Sequence, residues 1–395
     1  MKEEEKNLYL HADGDSFFVA CELSVRPELK GRPVIVGADR GIAVAMSKEA
    51  KILGVTRGMP VFRIKKIFPE VVILPHSFEL YNQISEKMRQ ILSSYFTAVE
   101  EYSIDECFAV AEPSEIKYYG GEKALLAELK REIEETLGVT YSLGLARTKA
   151  LSKLASKLEK PGGVVALLNK KDEVRALKAT PIEDIWGIGR RTFPELQRRG
   201  IKTAFDFVNH SDLQIAQDFS RPLLVLKKEL AGESILEVDD DADPRDQKSM
   251  QSTATFRPAS ADSRVILREL AENAEYVCEN ARSVRLVTKK VSFFIKTSEF
   301  KYRFDEIKLG DYTADPGEIL NAIEPCLLKL LRKGGRIRST GVILHDLVRE
   351  EKIPLDLFGG QTKSLKRIAI EKVADNIRQK HGPGAIKRAA SLKRK

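Results

Sequence analysis

The sequence predicts an α+β protein of several domains, and three patterns lead to this prediction. Short strand-like runs alternate with long amphipathic helices over residues 7–145. Residues 171–235 show only short helical patterns. Beyond an acidic run at 237–241, residues 249–348 follow the order strand, helix, strand, strand, helix, strand. That order is typical of a compact domain with two helices on one face of an antiparallel sheet.

Length and composition exclude several classes of protein. A chain of 395 residues with 43% hydrophobic content is long and apolar enough for more than one packed core, so it is not a disordered chain. The four cysteines never form a Cys-x-x-Cys pair, which argues against a disulfide framework and a structural zinc site. We expect a reducing, cytoplasmic location. No run approaches the roughly 18 apolar residues of a membrane-spanning helix, so no membrane contact is expected.

The net charge of +8 suggests a polyanionic partner, but the charge is unevenly placed. The segment 361–395 holds eleven Lys or Arg residues against Glu371 and Asp375, so the rest of the chain is nearly neutral. Binding of nucleic acid would therefore depend on local basic surfaces. For the tail itself, a solvated or disordered basic arm is the favoured interpretation.

The elements of the first half follow from hydrophobic periodicity. Strands are expected at Asn7–Ala12, Pro33–Val36, Ile42–Ala45, Val71–Leu74, Val99–Tyr102 and Val139–Leu145, and helices over residues 81–95, Ala124–Leu137 and 147–159. The last helix carries Lys149, Lys153 and Lys157 at every fourth position. Such a stripe could face a nucleic acid duplex, but a solvent-exposed face is the commoner arrangement.

Acidic residues follow two of the predicted strands. Asp13-Gly14-Asp15 ends the first strand, and Asp105-Glu106 lies between two later strands. Carboxylate oxygens suit Mg²⁺, and a pair of such ions can clamp the attacking and leaving oxygens of a phosphoryl transfer. Each motif has a structural alternative, since Ser-x-x-Glu is a capping box and Asp-Gly-Asp is turn chemistry. The strand predicted after Glu106 leaves no helix to cap, and the residues after Asp13 are too apolar for an exposed loop.

The runs Asp13-Gly14-Asp15-Ser16-Phe17-Phe18-Val19-Ala20-Cys21-Glu22 and Ser103-Ile104-Asp105-Glu106-Cys107-Phe108 resemble the two acidic motifs of Y-family, translesion DNA polymerases. The DNA polymerase IV (DinB) and UmuC branches are the nearest. Lys30-Gly31-Arg32-Pro33-Val34, Gly54-Val55, Gly58-Met59-Pro60 and Lys160-Pro161-Gly162-Gly163 agree as well. The resemblance covers residues 7–350 and is most specific over the first 165.

The resemblance implies a catalytic set of Asp13, Asp105 and Glu106. With the backbone carbonyl of Gly14, these residues would hold two Mg²⁺ ions, for which Mn²⁺ could substitute. Phe18 matches the aromatic steric gate that excludes a 2′-hydroxyl. Without the resemblance, Phe18 would be interpreted as a core residue beside Phe17.

Five residues are implied to bind the nucleotide phosphates: Ser16, Phe17, Lys48, Lys51 and Lys160. Lys48 and Lys51 stand where the family usually has tyrosine and arginine, so positive charge is retained at the second position without a bidentate guanidinium. They could also form an ordinary exposed helix edge.

Two further regions are implied to contact DNA. Residues 185–191 look like the hairpin of a helix-hairpin-helix, whose glycines Gly187 and Gly189 let backbone amides approach a phosphate beside Arg190 and Arg191. A plain turn is the alternative. In the last α+β domain, Arg336 and Arg338 belong to a basic set on or near predicted strands.

A peptide for a bacterial sliding clamp is suggested by Ile353-Pro354-Leu355-Asp356-Leu357-Phe358, in which Pro354 stands where glutamine is usual. Leu355, Leu357 and Phe358 would bind the clamp. Packing on the preceding domain is the alternative.

The expected fold is a right-hand polymerase with a ferredoxin-like palm (1–19 and 82–170), small fingers (20–81) and a helical thumb with a helix-hairpin-helix (171–236). A linker (237–248), an α+β little finger (249–349) and a basic tail (350–395) follow. The expected function is low-fidelity, template-directed DNA synthesis by a monomer, with primer-template DNA and deoxynucleoside triphosphates as partners. A nucleotidyl cyclase and a catalytically inactive DNA- and clamp-binding adaptor are the rival interpretations.

Overall fold

The computed structural model describes residues 6–38, 41–240, 243–353, 361–382, 385–386 and 388–389, and the chain divides into two compact units, 1–241 and 242–395. The first unit contains β1 (Leu8–Gly14), α1 (Phe17–Ser24), β2 (Val34–Val36), β3 (Ala45–Met46), α2 (Lys48–Ile52), α3 (Val61–Ile67), β4 (Val72–Leu74), α4 (Phe78–Tyr95), β5 (Ala98–Ser103), β6 (Glu106–Ala111), α5 (Pro113–Tyr118), α6 (Glu122–Leu137), β7 (Tyr141–Ala146), α7 (Lys149–Leu158), β8 (Val164–Leu167), α8 (Lys170–Ala179), α9 (Thr192–Arg198), α10 (Ala204–Asn209), α11 (Asp212–Asp218) and α12 (Arg221–Ala231).

The central sheet of the first unit has the strand order β5-β6-β1-β7-β8. Alternation along β1 sends Leu10 and Ala12 into a core with α4 and α6, and sends His11 and Asp13 to the opposite face, where α7 packs. Gly144 on β7 permits this packing, since a Cβ there would lie 2.2 Å from the Ser152 carbonyl oxygen. The close approach of α7 places its lysines directly against the acid-bearing strands.

Two smaller bodies complete the first unit. The strands β3-β2-β4 form a three-stranded sheet that packs with α2 and α3 around Ile35 and Ile64. Helices α8 to α12 surround a separate core that contains Leu196 and Phe207. The strand expected at 42–45 is shorter, with only an isolated bridge from Ile42 to Pro60 before β3. Strand β8, which pairs in parallel with β7, had no counterpart in the sequence prediction.

The second unit contains β9 (Ser249–Ser260), α13 (Ser263–Ser283), β10 (Leu286–Thr297), β11 (Tyr302–Thr313), α14 (Pro316–Leu331), β12 (Ile337–His345), β13 (Val348–Arg349) and α15 (Gln361–His381). The antiparallel sheet has the order β11-β10-β12-β9, and α13 and α14 cover one face through a core that includes Phe293 and Ile323. The α+β prediction is confirmed, and so is the strand and helix order of residues 249–348.

The interpretation of the basic tail as a solvated arm is wrong for α15. Ile368 is buried against Val287 and Ala314, and Asp375 accepts two hydrogen bonds from the buried guanidinium of Arg282. The docking depends on the two acidic residues of the tail, Glu371 and Asp375, which pair with Arg282 of the preceding domain. The net positive charge of the tail gave no sign of these contacts. Within the described part of the chain, no helix is both long and apolar enough to cross a bilayer.

Candidate active site

The acids meet where β1 and β6 run side by side. Asp13 is the direct antiparallel partner of Glu106, and Asp105 lies in the tight connection between β5 and β6. The Gly14 amide donates to the Asp105 carbonyl oxygen at 2.9 Å, and the Ser103 hydroxyl donates to Asp105 Oδ1 at 2.6 Å. Backbone pairing therefore brings the three predicted catalytic residues to one end of the sheet.

Side-chain atoms that could bind a metal come together at this point. One ligand atom each from His11, Asp13 and Glu106 lie within 4.8 Å of one another. Asp105 is outside that group and lines the adjacent cavity instead. The two carboxylates fit a hard cation such as Mg²⁺, which prefers oxygen ligands. The His11 imidazole is already engaged, because Nδ1 lies 2.7 Å from the Ser156 hydroxyl and Nε2 lies 3.3 Å from Lys153 Nζ.

Two lysines neutralise these carboxylates. Lys153 Nζ donates to Glu106 Oε2 at 2.5 Å, and Lys160 Nζ forms an ion pair with Asp13. The expectation of a solvated stripe is therefore wrong for Lys153, which is 4% exposed, and for Lys149, which is 6% exposed and pairs with Glu100. Only Lys157 of the stripe is exposed. The lysines are buried because β5 and β6 present acids directly to α7.

An aromatic wall surrounds the Lys153 ammonium. Its nitrogen lies 4.8 Å from the Tyr102 ring centroid, 5.7 Å from that of Phe108 and 5.8 Å from that of Trp186. Aromatic faces attract cations most strongly where water is excluded. The rings and Glu106 thus hold the cation from several sides.

Burial decides the protonation of two groups at this end of the sheet. It raises the pKa of Asp13 to about 6, an effect opposed by the Lys160 ammonium and increased by the Glu106 and Asp105 carboxylates. Burial also lowers the pKa of His11 well below its usual value, and the charge of Lys153 lowers it further. His11 is therefore neutral at physiological pH. Sequence reasoning overlooked it, although strand alternation places it on the same face as Asp13.

A cavity of about 570 Å³ lies beside the acids. Its lining includes Gly14, Ser16, Phe17, Phe18, Lys51, Arg57, Ile104 and Asp105. The half-buried Phe18 ring stacks on Tyr81 with centroids 4.5 Å apart, whereas Phe17 is buried in the core. Lys51 Nζ donates to the Ser16 hydroxyl at 2.9 Å. Lys48 is exposed and is not among the lining residues, and Arg57, which sequence reasoning missed, is among them.

Asp15 has a separate set of partners. Its carboxylate accepts hydrogen bonds from the Ser142 hydroxyl and from the Gly162 amide. It is not one of the potential metal-binding residues that lie within 4.8 Å of one another. The Gly162 contact joins the end of β1 to the turn that carries Lys160.

The predicted hairpin lies before α9. Gly187 has a φ of +81°, a conformation that favours glycine, and Arg190 and Arg191 are exposed. The Trp186 indole donates to the Tyr102 hydroxyl at 2.9 Å. This contact holds the hairpin beside β5.

The second unit carries the other residues predicted to bind DNA or a clamp. The exposed Arg336 donates from Nε to the Ala259 carbonyl oxygen at 2.9 Å, and Arg338 lies 4.4 Å from the Phe300 ring centroid. Leu355, Leu357 and Phe358, predicted to bind a clamp, lie outside the described residues, as does Pro354.

Comparison with known proteins gives a consistent assignment. Residues 12–157 match the impB/mucB/samB family, and residues 247–357 match the C-terminal domain of that family. Protein UmuC of Salmonella typhimurium is 32% identical over an alignment that covers 96% of this chain and 92% of that protein. DNA polymerase IV of Methanoculleus marisnigri is 33% identical, with coverage of 86% of this chain and 94% of that protein.

A solved structure shares the fold. A Y-family DNA polymerase chimera of Dbh and Dpo4 aligns with a TM-score of 0.74 at 22% identity, covering 87% of this chain and 99% of the chimera. Three observations point to the same family. They are the sequence matches, the shared fold, and the position of Asp13, Asp105 and Glu106 at one end of the sheet. The chain belongs to the impB/mucB/samB family, the UmuC and DNA polymerase IV type of Y-family DNA polymerase.

Proposed function

We propose that the chain is a template-directed DNA polymerase that transfers a deoxynucleotide to a primer 3′-hydroxyl during translesion synthesis. The observation that carries this proposal is the direct pairing of Asp13 with Glu106, beside a cavity lined by Asp105 and Phe18. The UmuC and DNA polymerase IV names of its relatives support the same activity. An adaptor that bound only DNA would have no use for carboxylates crowded beside an open cavity.

Asp13, Asp105 and Glu106, with the Gly14 carbonyl, would hold two Mg²⁺ ions, and Mn²⁺ could substitute. The bound metal would supply electrophilic stabilisation for in-line attack of the primer hydroxyl on the α-phosphate and for departure of pyrophosphate. The fit rests on the Asp13 and Glu106 oxygens, because hard cations favour carboxylates over the engaged His11 imidazole.

The remaining residues would bind and orient the substrates. Lys51 and Arg57 line the cavity, and Lys160 pairs with Asp13. These three cations would bind the triphosphate. Ser16 and Phe17 border the same space, and the Phe18 ring would pack under the sugar and exclude a 2′-hydroxyl. Lys48 is a weaker candidate, because it lies outside this lining.

Primer-template DNA would contact the hairpin at Gly187 and Gly189, where backbone amides can approach a phosphate, with Arg190 and Arg191 alongside. Arg336 and Arg338 would supply sequence-independent charge in the little finger. Four expectations stay predictions. They are the monomeric state, the cytoplasmic location, the domain limits given above, and binding of a sliding clamp by Leu355, Leu357 and Phe358.

The test is extension of a labelled primer on a DNA template with Mg²⁺ and each deoxynucleotide. We expect template-dependent extension by the purified chain and none by the Asp105→Ala, Glu106→Ala double variant. Glu101→Ala, which removes an exposed carboxylate from the adjacent strand, is the matched control and should extend normally. Primer-template binding without extension by the unaltered chain would favour the adaptor instead.

A further inference from the structure

The end of β1 is tied to the turn at residues 160–163 through the carboxylate of Asp15. The Ser142 hydroxyl lies 3.0 and 2.9 Å from the two oxygens of Asp15, and the Gly162 amide donates to Asp15 Oδ2 at 2.7 Å. The same amide lies 3.0 Å from the Ser142 hydroxyl. Three segments that are distant in sequence therefore meet at a single, largely buried carboxylate.

This carboxylate has a different environment from its neighbour Asp13. Both Asp15 oxygens contact protein donors, and Asp15 is absent from the group of potential metal ligands formed by His11, Asp13 and Glu106. Hydrogen bonds to an ionised acceptor are about twice as strong as those between neutral groups. The contacts of Asp15 thus favour a role in fixing the backbone of the turn.

The turn packs closely against the residue that follows α7. Gly162 has a φ of +73°, and a Cβ on Gly163 would lie 2.4 Å from the Glu159 carbonyl oxygen. Asp15 holds the turn on the β1 side, and the end of α7 confines it on the other side. Any movement of Gly162 would move Lys160, which lies only two residues earlier.

The Lys160 side chain leads from this turn to the acids. Its ammonium pairs with Asp13 and lies 3.9 Å from Asp15 Oδ1, and its side chain is 32% exposed. A lysine side chain is flexible, so the position of its ammonium depends on where its backbone is anchored.

We propose that Asp15 is a positioning residue that acts through Lys160, and that its hydrogen bonds to Gly162 and Ser142 hold the lysine where a nucleotide triphosphate binds. The proposal rests on the role of Lys160 in phosphate binding given under the proposed function. Asp15 does not touch the nucleotide in this arrangement. Its effect is transmitted through the backbone of the turn.

The experiment measures deoxynucleotide affinity in complexes of the full chain with a primer-template whose primer ends in a dideoxynucleotide, so that no chemistry occurs. The variants are Asp15→Ala, Asp15→Asn, Lys160→Ala and the Asp15→Ala, Lys160→Ala double variant. We expect each alanine variant to weaken binding on the order of tenfold, which corresponds to loss of a charge-assisted hydrogen bond. The double variant should bind no more weakly than Lys160→Ala, because Asp15 acts through Lys160.

Asp15→Asn keeps the side-chain volume and one acceptor oxygen, so it should fold and bind with intermediate affinity. Ser142→Ala removes only the bridging hydroxyl and should weaken nucleotide binding in the same direction. Glu70→Ala, which removes an exposed carboxylate, is the control and should leave affinity unchanged. Primer-template affinity should be unchanged in all variants, which separates positioning of Lys160 from general damage to the fold.

Three outcomes would overturn the proposal. Multiplicative losses in the double variant would show that Asp15 and Lys160 act independently. A higher half-saturating Mg²⁺ concentration for Asp15→Asn at unchanged nucleotide affinity would make Asp15 a metal ligand. Unchanged nucleotide affinity of Lys160→Ala would remove the phosphate role of Lys160, and the role of Asp15 with it, while leaving primer extension by the unaltered chain as a separate result.

Discussion

Lys153 Nζ lies 2.5 Å from Glu106 Oε2 and 3.3 Å from His11 Nε2, so α7 supplies a cation to the acid-bearing face of the sheet. The contact occupies one oxygen of Glu106 and leaves the other available to a ligand. The buried lysine therefore fixes the orientation of the carboxylate that is proposed to hold a metal ion.

Lys153→Met should lower the rate of primer extension at saturating nucleotide by at least about tenfold, because loss of the donor lets Glu106 leave its productive position. Lys153→Arg retains the charge among the aromatic rings and should retain more activity than the methionine variant. Lys157→Met is the matched control, since Lys157 is exposed one turn later on α7. Equal activities of the methionine and arginine variants would contradict an electrostatic role for Lys153.

Asp13→Asn should stabilise the first unit at neutral pH. Burial raises the pKa of Asp13 from 3.8 to about 6, so the folded chain binds this proton more tightly than the unfolded chain. The free energy of unfolding therefore falls as pH rises through that interval, by up to about 3 kcal/mol. Asparagine cannot titrate, so the variant should exceed the unaltered chain in free energy of unfolding. The full difference should appear above roughly pH 7, and no difference should appear below roughly pH 4.

Urea unfolding of Asp13→Asn at several pH values, followed by fluorescence of Trp186, measures this effect because Trp186 is the single tryptophan of the chain. A stability difference that does not vary between acidic and neutral pH would rule out titration of Asp13 as its cause. Primer extension should be lost in the same variant, so the two readouts move in opposite directions.

Phe18→Ala should relax the choice of sugar. The Phe18 ring borders the cavity, and its removal opens space for a 2′-hydroxyl. We expect the ratio of ribonucleotide to deoxynucleotide incorporation to rise at least about tenfold, as expected for loss of a steric contact worth more than about 1.4 kcal/mol. Single-nucleotide primer extension with matched ribo- and deoxynucleotides measures the ratio.

Phe17→Ala is the contrast for the proposed steric gate, because the Phe17 side chain is 2% exposed and packs in the core of the first unit, although it also borders the cavity. It should cost about 3–5 kcal/mol of stability, and its sugar preference should change little in the protein that remains folded. If Phe17→Ala increased ribonucleotide use and Phe18→Ala did not, the gate would be Phe17, and its assignment to Phe18 would be wrong.

Asp375→Asn should release α15 from the second unit. Arg282 is 3% exposed and donates to both Asp375 oxygens, so the variant leaves a buried guanidinium poorly compensated. Breaking a buried pair in this way costs about 3–5 kcal/mol. Backbone hydrogen exchange of α15 should become faster. Glu318→Gln, which removes the half-buried partner of the exposed Arg367, is the control and should cost less than about 1 kcal/mol.

The sequence predicted the main features of the fold because they depend on local patterns. Apolar alternation located β1, and the strand expected after Glu106 distinguished a site from a helix cap. The burial of Lys149 and Lys153 depended on Glu100 and Glu106, which no local pattern pairs with α7. The docking of α15 likewise depended on Arg282, whose partner Asp375 is far away in sequence. Side-chain partners across long sequence separations decided the predictions that failed for Lys149, Lys153 and α15.

The two walls of the cavity beside the acids are built from different kinds of element. The acid-bearing wall belongs to a sheet whose spacing from α7 allows no side chain at Gly144. The opposite wall is supplied by Val44, Lys51, Thr56 and Arg57, on and beside short elements of the small three-stranded body. Substitutions that alter substrate use should therefore be accommodated more readily on that wall than at the acid-bearing end of the sheet. Adaptability and the proposed chemistry would thus reside on opposite sides of one cavity.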